Sequence, residues 1–454
     1  MKIYLTLGFL LISVSMVFAR QNILENYVQQ GMENNLALKQ QTLTFEQSKQ
    51  ALNQVRGMFL PSVSLEARYS RAGGGRMIDI PIGDMMNPVY GTLNELLSAI
   101  GQQPGFPTNI PNEHIPFLRE REHDTKVRVI QPIFQPAIYY NYRIKSNLTN
   151  VQQAATSMFK RQLTADIKTA YYNYLKTRQV IELLQKTRKL LEENLRVSKS
   201  LFEIGKATEE VVFRAKAEIS EFDQKNAEAG KNKKLSAAYF NFLINRPLDS
   251  DIKIIDEDKL TFYQPINLEE ARAKAIQNRE EFRQLRSAVA VTKNSISLTK
   301  GTFLPGVTGV LDYGYQGEKY SFTEKDDYWM ASLVLQWNLF NGFQDRSKYK
   351  QSSLEKQKFE TQLLELENKI KLQVQEATEN LSVAHKSIIA AEERLNSAKQ
   401  SFKIVNKKYE QGMASQIEYI DARTTFTNAG INRVIVRYDF QIRFVEFENV
   451  IGNR

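Results

Sequence analysis

Residues 24–70, LENYVQQGMENNLALKQQTLTFEQSKQALNQVRGMFLPSVSLEARYS, lie on residues 268–314, LEEARAKAIQNREEFRQLRSAVAVTKNSISLTKGTFLPGVTGVLDYG, without a gap at a constant offset of 244. Leu24, Glu25, Asn34, Gln40, Phe59, Leu60, Pro61, Val63 and Tyr69 recur as Leu268, Glu269, Asn278, Gln284, Phe303, Leu304, Pro305, Val307 and Tyr313. The match resumes with QPIF (131–134) on WNLF (337–340) and with FEIGKATEEV (202–211) on YEQGMASQIE (409–418), now at offsets of 206 and 207. Such a chain is one unit made twice, so whatever fold satisfies the first copy must satisfy the second. The first copy differs in carrying about 38 extra residues in one loop.

Each copy reads helix, strand, loop, strand, long helix, Gly turn, helix. The first repeat covers 20–246, with strands near 61–71 and 125–134, an external loop over 72–124 and a hairpin tip near 205. A linker or equatorial segment follows over 247–267, PLDSDIKIIDEDKLTFYQ and its continuation. The second repeat covers 268–454, with strands near 305–316 and 328–340 and a tip near 412. Between Ala137 and Ile204 apolar residues fall at helical spacing, among them Leu163, Ile167, Ala170, Tyr174, Ile181 and Leu184, which predicts one very long amphipathic helix. Gly205 in EIGKAT and Gly412 in EQGMAS supply the left-handed residue that stops a helix before the next begins. The result is a long helical hairpin in each copy.

At the N-terminus Lys2 precedes the apolar run IYLTLGFLLISVSMVF, and Val17 and Ala19 are small residues ahead of Arg20. This is the layout of a secretory signal over 1–19. No other window offers the ~20 consecutive apolar residues that a membrane-spanning helix requires, so a membrane role must come from strands. Cysteine is absent, which excludes disulfides and the acylated thiol of a lipoprotein. The formal net charge of +10 is spread over helix faces without a basic run carrying interleaved aromatics, the mark of solvated surface rather than of nucleic-acid binding.

The strands alternate. Val63, Leu65, Ala67 and Tyr69 take one side, and Ser64, Glu66, Arg68 and Ser70 the other. Val127, Val129 and Ile133 alternate with Lys126, Arg128 and Pro132; Val307, Leu311, Tyr313 and Tyr315 alternate with Thr308, Asp312 and Gln316. In WMASLVLQW, Trp329, Ala331, Leu333, Leu335 and Trp337 face one way. At ~3.3 Å per residue the two tryptophans stand roughly 26 Å apart, close to the height of an outer-membrane barrel's apolar band with aromatics at each margin. Four strands cannot close such a barrel, and open edges in lipid leave backbone groups unpaired at several kcal/mol each. Strands of this kind in a membrane therefore require several chains to build one barrel, with Glu66 and Arg68 toward water and Leu65, Ala67 and Tyr69 toward lipid. A half-buried soluble sheet on a helical stalk is the competing arrangement.

The duplication, the two FLP turns into strands, the two Gly tips, LINRP at 243–247 and YEQGMASQIEYIDA near the end together resemble the TolC-like outer-membrane efflux protein family along essentially the whole mature chain. The resemblance implies a fold that is mostly α with membrane β: long helical hairpins forming a periplasmic α-barrel, and four strands per chain in a shared trimeric 12-stranded β-barrel. It implies a homotrimer in the outer membrane of a Gram-negative bacterium, an exit duct that works with a periplasmic adaptor and an inner-membrane transporter, and no cofactor. Aligned on Tyr409 and Gly412, the family's acidic ring at the periplasmic gate falls on Glu418 and Asp421. Adaptor docking falls on the tips, Gly205, Lys206, Gly412, Met413 and Ala414, and the membrane aromatic belt on Tyr69, Tyr313, Tyr315, Trp329 and Trp337. Two positions depart from the pattern: Ala414 stands where a tip Arg is common, and Val211 where its acidic partner is. The lock between hairpins then depends on substitutes such as Lys206, Glu209 or Glu210. A coiled-coil scaffold or adaptor protein of the periplasm or cell surface that conducts nothing is the alternative function.

No enzyme is expected. The three histidines, His114, His123 and His385, have no metal-binding spacing, GGGR at 73–76 lacks the Lys-Ser/Thr of a phosphate loop, and no Ser sits in a Gly-x-Ser-x-Gly setting.

Overall fold

The structure is a computed structural model, which describes residues 23–255 and 263–453; the expected signal segment 1–19 and the middle of the linker lie outside the described residues. Helices α1 (Ile23–Asn34) and α2 (Leu36–Gly57) lead into β1 (Ser62–Arg71), β2 (Met77–Ile80), α3 (Ile82–Ala99), β3 (Glu113–Pro116) and β4 (Arg121–Phe134). The long α4 (Pro136–Glu203) and α5 (Glu210–Leu243) complete the first repeat. The second runs α6 (Leu268–Asn278), α7 (Glu280–Gly301), β5 (Gly306–Gly317), β6 (Asp327–Gln336), α8 (Gln344–Glu410) and α9 (Gln416–Val450). The offset of 244 carries α2 onto α7 end for end, and that of 207 carries the last residue of α4 onto that of α8.

The described residues form two compact units, one of Asn53–Tyr142 with Ser295–Tyr349 and one of the other described residues. Among the described residues three apolar clusters hold the helical unit, the smallest around Leu184, Leu191 and Phe222. In the first, Leu163, Ile167, Ala170 and Tyr174 of α4 are buried as their spacing requires, and the rings of Tyr27 and Phe240 meet edge to face at 5.0 Å. Tyr171 is fully buried; its hydroxyl donates to the Lys253 carbonyl at 2.8 Å and accepts from the Ile255 amide at 3.0 Å. Burial raises its pKa far above the ordinary phenol value, which keeps it a neutral donor. Tyr27 accepts from the Lys253 amide at 2.8 Å. These bonds, with Ile252 and Ile255 buried in the same cluster, hold the described start of the segment expected as a linker or equatorial piece. Residues 251–255 are a docked strip whose backbone groups find side-chain partners. The second cluster gathers Ile370, Val374, Leu381 and Phe440, and Tyr263 stacks on His385 at 4.3 Å.

A buried polar knot ties three helices of this unit. Arg161 of α4 donates to Glu280 at 2.8 Å and Glu281 at 3.1 Å, both on α7, and to the Asn449 carbonyl of α9 at 2.5 Å. Burial pushes the Glu281 carboxyl up, but hydrogen bonds from Arg279 outweigh it and leave the group below the usual range. Both copies end alike: Asn245 and Gly452 occupy the left-handed region at φ 54° and 73°, equivalent positions that stop α5 and α9.

In the other unit the strands form one antiparallel sheet in the order β1-β4-β5-β6, with β2 and β3 paired separately. β1 and β6 are its edges. Pro61 and Pro305 stand just ahead of β1 and β5, where a missing N–H prevents earlier pairing. β6 accordingly ends at Gln336, opposite Gly306, short of the expected end near 340. The expected loop over 72–124 is also revised: β4 begins at Arg121, paired with Arg71, and α3 with the β2–β3 ribbon fills most of the insertion.

Candidate functional site

The first candidate region is the pair of faces on the four-stranded sheet. Residues paired across an antiparallel ladder share a face, so the register defines rows. Leu65, Val127, Tyr313 and Trp329 form one, and Val63, Val129, Leu311 and Ala331 another. The alternate rows are Ser64, Arg128, Asp312 and Met330, then Glu66, Lys126, Gly314 and Tyr328. The expected sides of all four strands are kept. A bulge between Pro132 and Phe134 inserts one unpaired residue: Ile133 still reaches the apolar face, 3.4 Å from where a Cβ on Gly309 would lie, and Phe134 joins it opposite Val307.

Burial on this sheet is inverted relative to a soluble one. Trp329 and Leu65 are each 73% exposed, whereas Asp312 is 0% exposed. Arg128 donates twice to Asp312, at 2.8 and 2.7 Å, and pairs with Glu66 at 3.3 Å. Lys126 donates to Asp124 at 2.7 Å, as does the Tyr328 hydroxyl at 2.9 Å. Gly314 makes this crossing possible, since a Cβ there would lie 2.4 Å from the Thr125 carbonyl oxygen. The charges are thus matched on one face, and the large apolar side chains stand on the other with nothing from the sheet to cover them.

The aromatic residues expected as a belt fall on the apolar face: Tyr313 and Trp329 in one row, Tyr315 two residues along, Tyr69 opposite His123. Trp337 lies one residue past β6 and its indole N–H donates to the Phe303 carbonyl at 3.1 Å, an apolar body with a satisfied polar tip.

The second region is the pair of hairpin turns in the helical unit. Gly205 and Gly412 have φ of 68° and 75°. Lys206 N donates to the Leu201 carbonyl at 2.8 Å and Met413 N to that of Lys408 at 2.7 Å, closing α4 and α8 with the same motif. Lys206 and Met413 are exposed and Ala414 is half-buried. Ser415 and Glu418 form a capping box: the Ser415 hydroxyl accepts from the Glu418 amide, and the Glu418 carboxylate accepts from the Ser415 amide at 2.7 Å and its hydroxyl at 2.8 Å. These two bonds, the backbone one first, hold the Glu418 carboxyl below the ordinary range. Asp421, one turn on, is exposed.

The ties between the two hairpins come mainly from Gln416, Arg423 and Glu218, which the sequence did not single out. Gln416 of α9 donates to the Val211 carbonyl of α5 at 2.7 Å. Arg423 of α9 grips Glu218 of α5 with two bonds of 2.9 Å, and both are largely buried. Tyr409 lies 3.2 Å from the Ser198 hydroxyl and stacks on Tyr419 at 4.8 Å. Of the expected substitutes, Glu210 pairs with Arg214 on its own helix, and Lys206 and Glu209 are exposed. Val211 takes part through its backbone, which a side-chain comparison cannot see.

The histidines are engaged separately. His114 lies 2.6 Å from Asp79, His123 is buried beside Tyr320, and His385 stacks on Tyr263. Among the described residues no cluster of three or more His, Cys, Asp or Glu is arranged to hold a metal ion, and no helix is long and apolar enough to cross a membrane.

Residues 271–453 match the family described as outer membrane efflux protein. Over 98% of the chain it is 19% identical to outer membrane protein TolC of Escherichia coli (strain K12), covering 85% of that relative. The second repeat thus matches the outer membrane efflux protein family, and the chain as a whole is similar to TolC. Its fold is similar to that of the outer-membrane channel OprN, at a TM-score of 0.77 and 13% identity, covering 96% of this chain and 91% of that one. It is similar too to the Campylobacter jejuni CmeC outer membrane channel, at a TM-score of 0.76 and 14% identity, covering 95% and 86%. The TolC-like fold of two repeats, with long helices and four antiparallel strands in one sheet, is therefore shared with outer-membrane channels.

Proposed function

We propose that this TolC-like protein is the exit duct of a tripartite efflux or type I secretion machine, acting as a homotrimer in a Gram-negative outer membrane. The observation that supports this most is the sheet: bare edges at β1 and β6, one face of paired charges and one of exposed Trp, Tyr and Leu. In lipid each unpaired backbone group on an edge costs several kcal/mol. Pairing β6 of one copy to β1 of the next removes every edge, and three copies give twelve strands, above the roughly eight at which membrane barrels begin. The rows holding Glu66, Lys126, Arg128 and Asp312 then line water, and Tyr69, Tyr313, Tyr315, Trp329 and Trp337 form the belt in lipid.

The hairpins α4–α5 and α8–α9 of the three copies pack side by side as the wall of a periplasmic α-barrel. Their turns, Gly205, Lys206, Gly412, Met413 and Ala414, dock a periplasmic adaptor, through which the duct meets an inner-membrane transporter. Glu418 and Asp421 place six carboxylates around the axis at the gate. Of the two acids, Asp421 is the one not spent on a helix cap. The protein supplies a passage and performs no reaction.

Detergent-extracted protein inserted in a planar bilayer tests the reading. We expect a heat-modifiable trimer that conducts, and a changed cation block of single-channel current in the Glu418→Gln, Asp421→Asn double variant. Recovery as a water-soluble, non-conducting protein would overturn the duct in favour of a scaffold; conduction with unaltered block would remove the acidic gate alone.

A further inference from the structure

The insertion between β1 and β4 is a built lobe. The β1–β4 ladder continues past its last pair, Arg71 and Arg121, through Ala72 N to the Glu120 carbonyl at 3.0 Å and Phe117 N to the Arg76 carbonyl at 2.9 Å. It then passes into the β2–β3 ribbon, and α3 follows directly.

One side of α3 is fixed to its own loop by polar groups. Asn87 donates to the Ile110 carbonyl and accepts from the Ile110 amide, each at 2.9 Å. Asn94 donates to the Phe106 carbonyl at 2.8 Å and accepts from its amide at 3.0 Å. Gly83 allows the close approach, since a Cβ there would sit 2.0 Å from the Ile110 carbonyl oxygen.

Another side carries Met85, Val89, Leu93, Leu96 and Ile100, spaced four, four, three and four residues apart, all exposed and Ile100 by 70%. That spacing forms a single stripe of the kind that seats against another surface. A helix that spends its asparagines inward and its leucines outward has left its packing partner outside the chain.

Lipid and a second copy are the two surfaces within reach. Helices that lie on an anionic membrane surface carry Lys and Arg on their polar side; α3 carries Asp84 and Glu95 and no basic residue. The lobe springs from β1, the bare edge strand, so it rises where the neighbouring chain must begin. We propose that the Met85–Ile100 stripe of α3 docks on a second copy of this chain, making the lobe an external clasp between subunits. The clasp rests on the shared-barrel reading and continues its interface beyond the strands.

The chain has no cysteine, so one thiol can be placed at will in the full-length protein. Leu93→Cys sits in the stripe and Glu95→Cys on the polar side of the same helix. In trimers verified by light scattering in detergent, the thiol of the Leu93→Cys variant is expected to react with a maleimide roughly tenfold more slowly than that of the Glu95→Cys variant. Leu93→Glu with Leu96→Glu is expected to lower the temperature at which trimers dissociate. Intact trimers in which the two thiols react alike would overturn the clasp and leave the barrel standing. Quenching of a label on the Leu93→Cys variant by nitroxide lipids in vesicles would overturn it in favour of lipid. Monomers in the unsubstituted protein would overturn the shared barrel, and the clasp with it.

Discussion

Arg423 and Glu218 illustrate how much one pair can decide. Removing one partner of a largely buried ion pair strands the other and costs on the order of 3–5 kcal/mol, whereas replacing both by apolar residues restores much of it. Arg423→Ala is therefore expected to speed amide exchange in the turns near Glu218 and Gln416 by about a hundredfold or more. Arg423→Met with Glu218→Leu should recover most of the protection. Equal exchange in all three proteins would mean that the pair ties nothing. Glu418 makes a separate forecast through pH. Its folded pKa is depressed by the Ser415 bonds, so its cap is fully formed above the ordinary carboxylate pKa of ~4.3 and is lost as pH falls through the lower folded value. Protection of the first turn of α9 should fall with acid in the parent and stay flat in Glu418→Gln, as read by exchange across pH. Ser-x-x-Glu is legible in the sequence as a capping signature, yet the family resemblance puts the proposed gate on the same carboxylate. Gln416, Glu218 and Arg423 carry no local signal, because what joins them is a pairing some 200 residues apart in the chain.

At the level of elements, period and punctuation are enough where the pattern is local. The FLP turns, the alternation of β1 and β5 and the Gly-stopped helices all rest on effects within a few residues of one another. The bulge at Ile133 is hidden because alternation cannot reveal which residue goes unpaired until a partner strand fixes the register. The lobe is hidden for a different reason. Gly and Pro dominate the insertion as a whole and mask an 18-residue helix whose apolar stripe has no complementary stripe in the same stretch. Gly314 offers the sharpest element-scale test. A side chain there meets the β4 backbone within van der Waals distance, so Gly314→Val is expected to split β4 from β5 and abolish heat-modifiable trimers, measured by electrophoresis of unheated samples. Persistence of normal trimers would show that the sheet closes differently.

For the whole molecule, the inverted sheet is the reason that a single copy is an incomplete object in lipid, and the duplication explains how a long chain repeats its parts without repeating them identically. The insertion was made in only one of the two repeats. Any circle of these chains consequently has two hairpin turns, chemically unlike, for each lobe. On the proposed duct reading, a molecule arriving from outside would count one landing place per chain, while a periplasmic partner would count two kinds, and its own stoichiometry could follow either number.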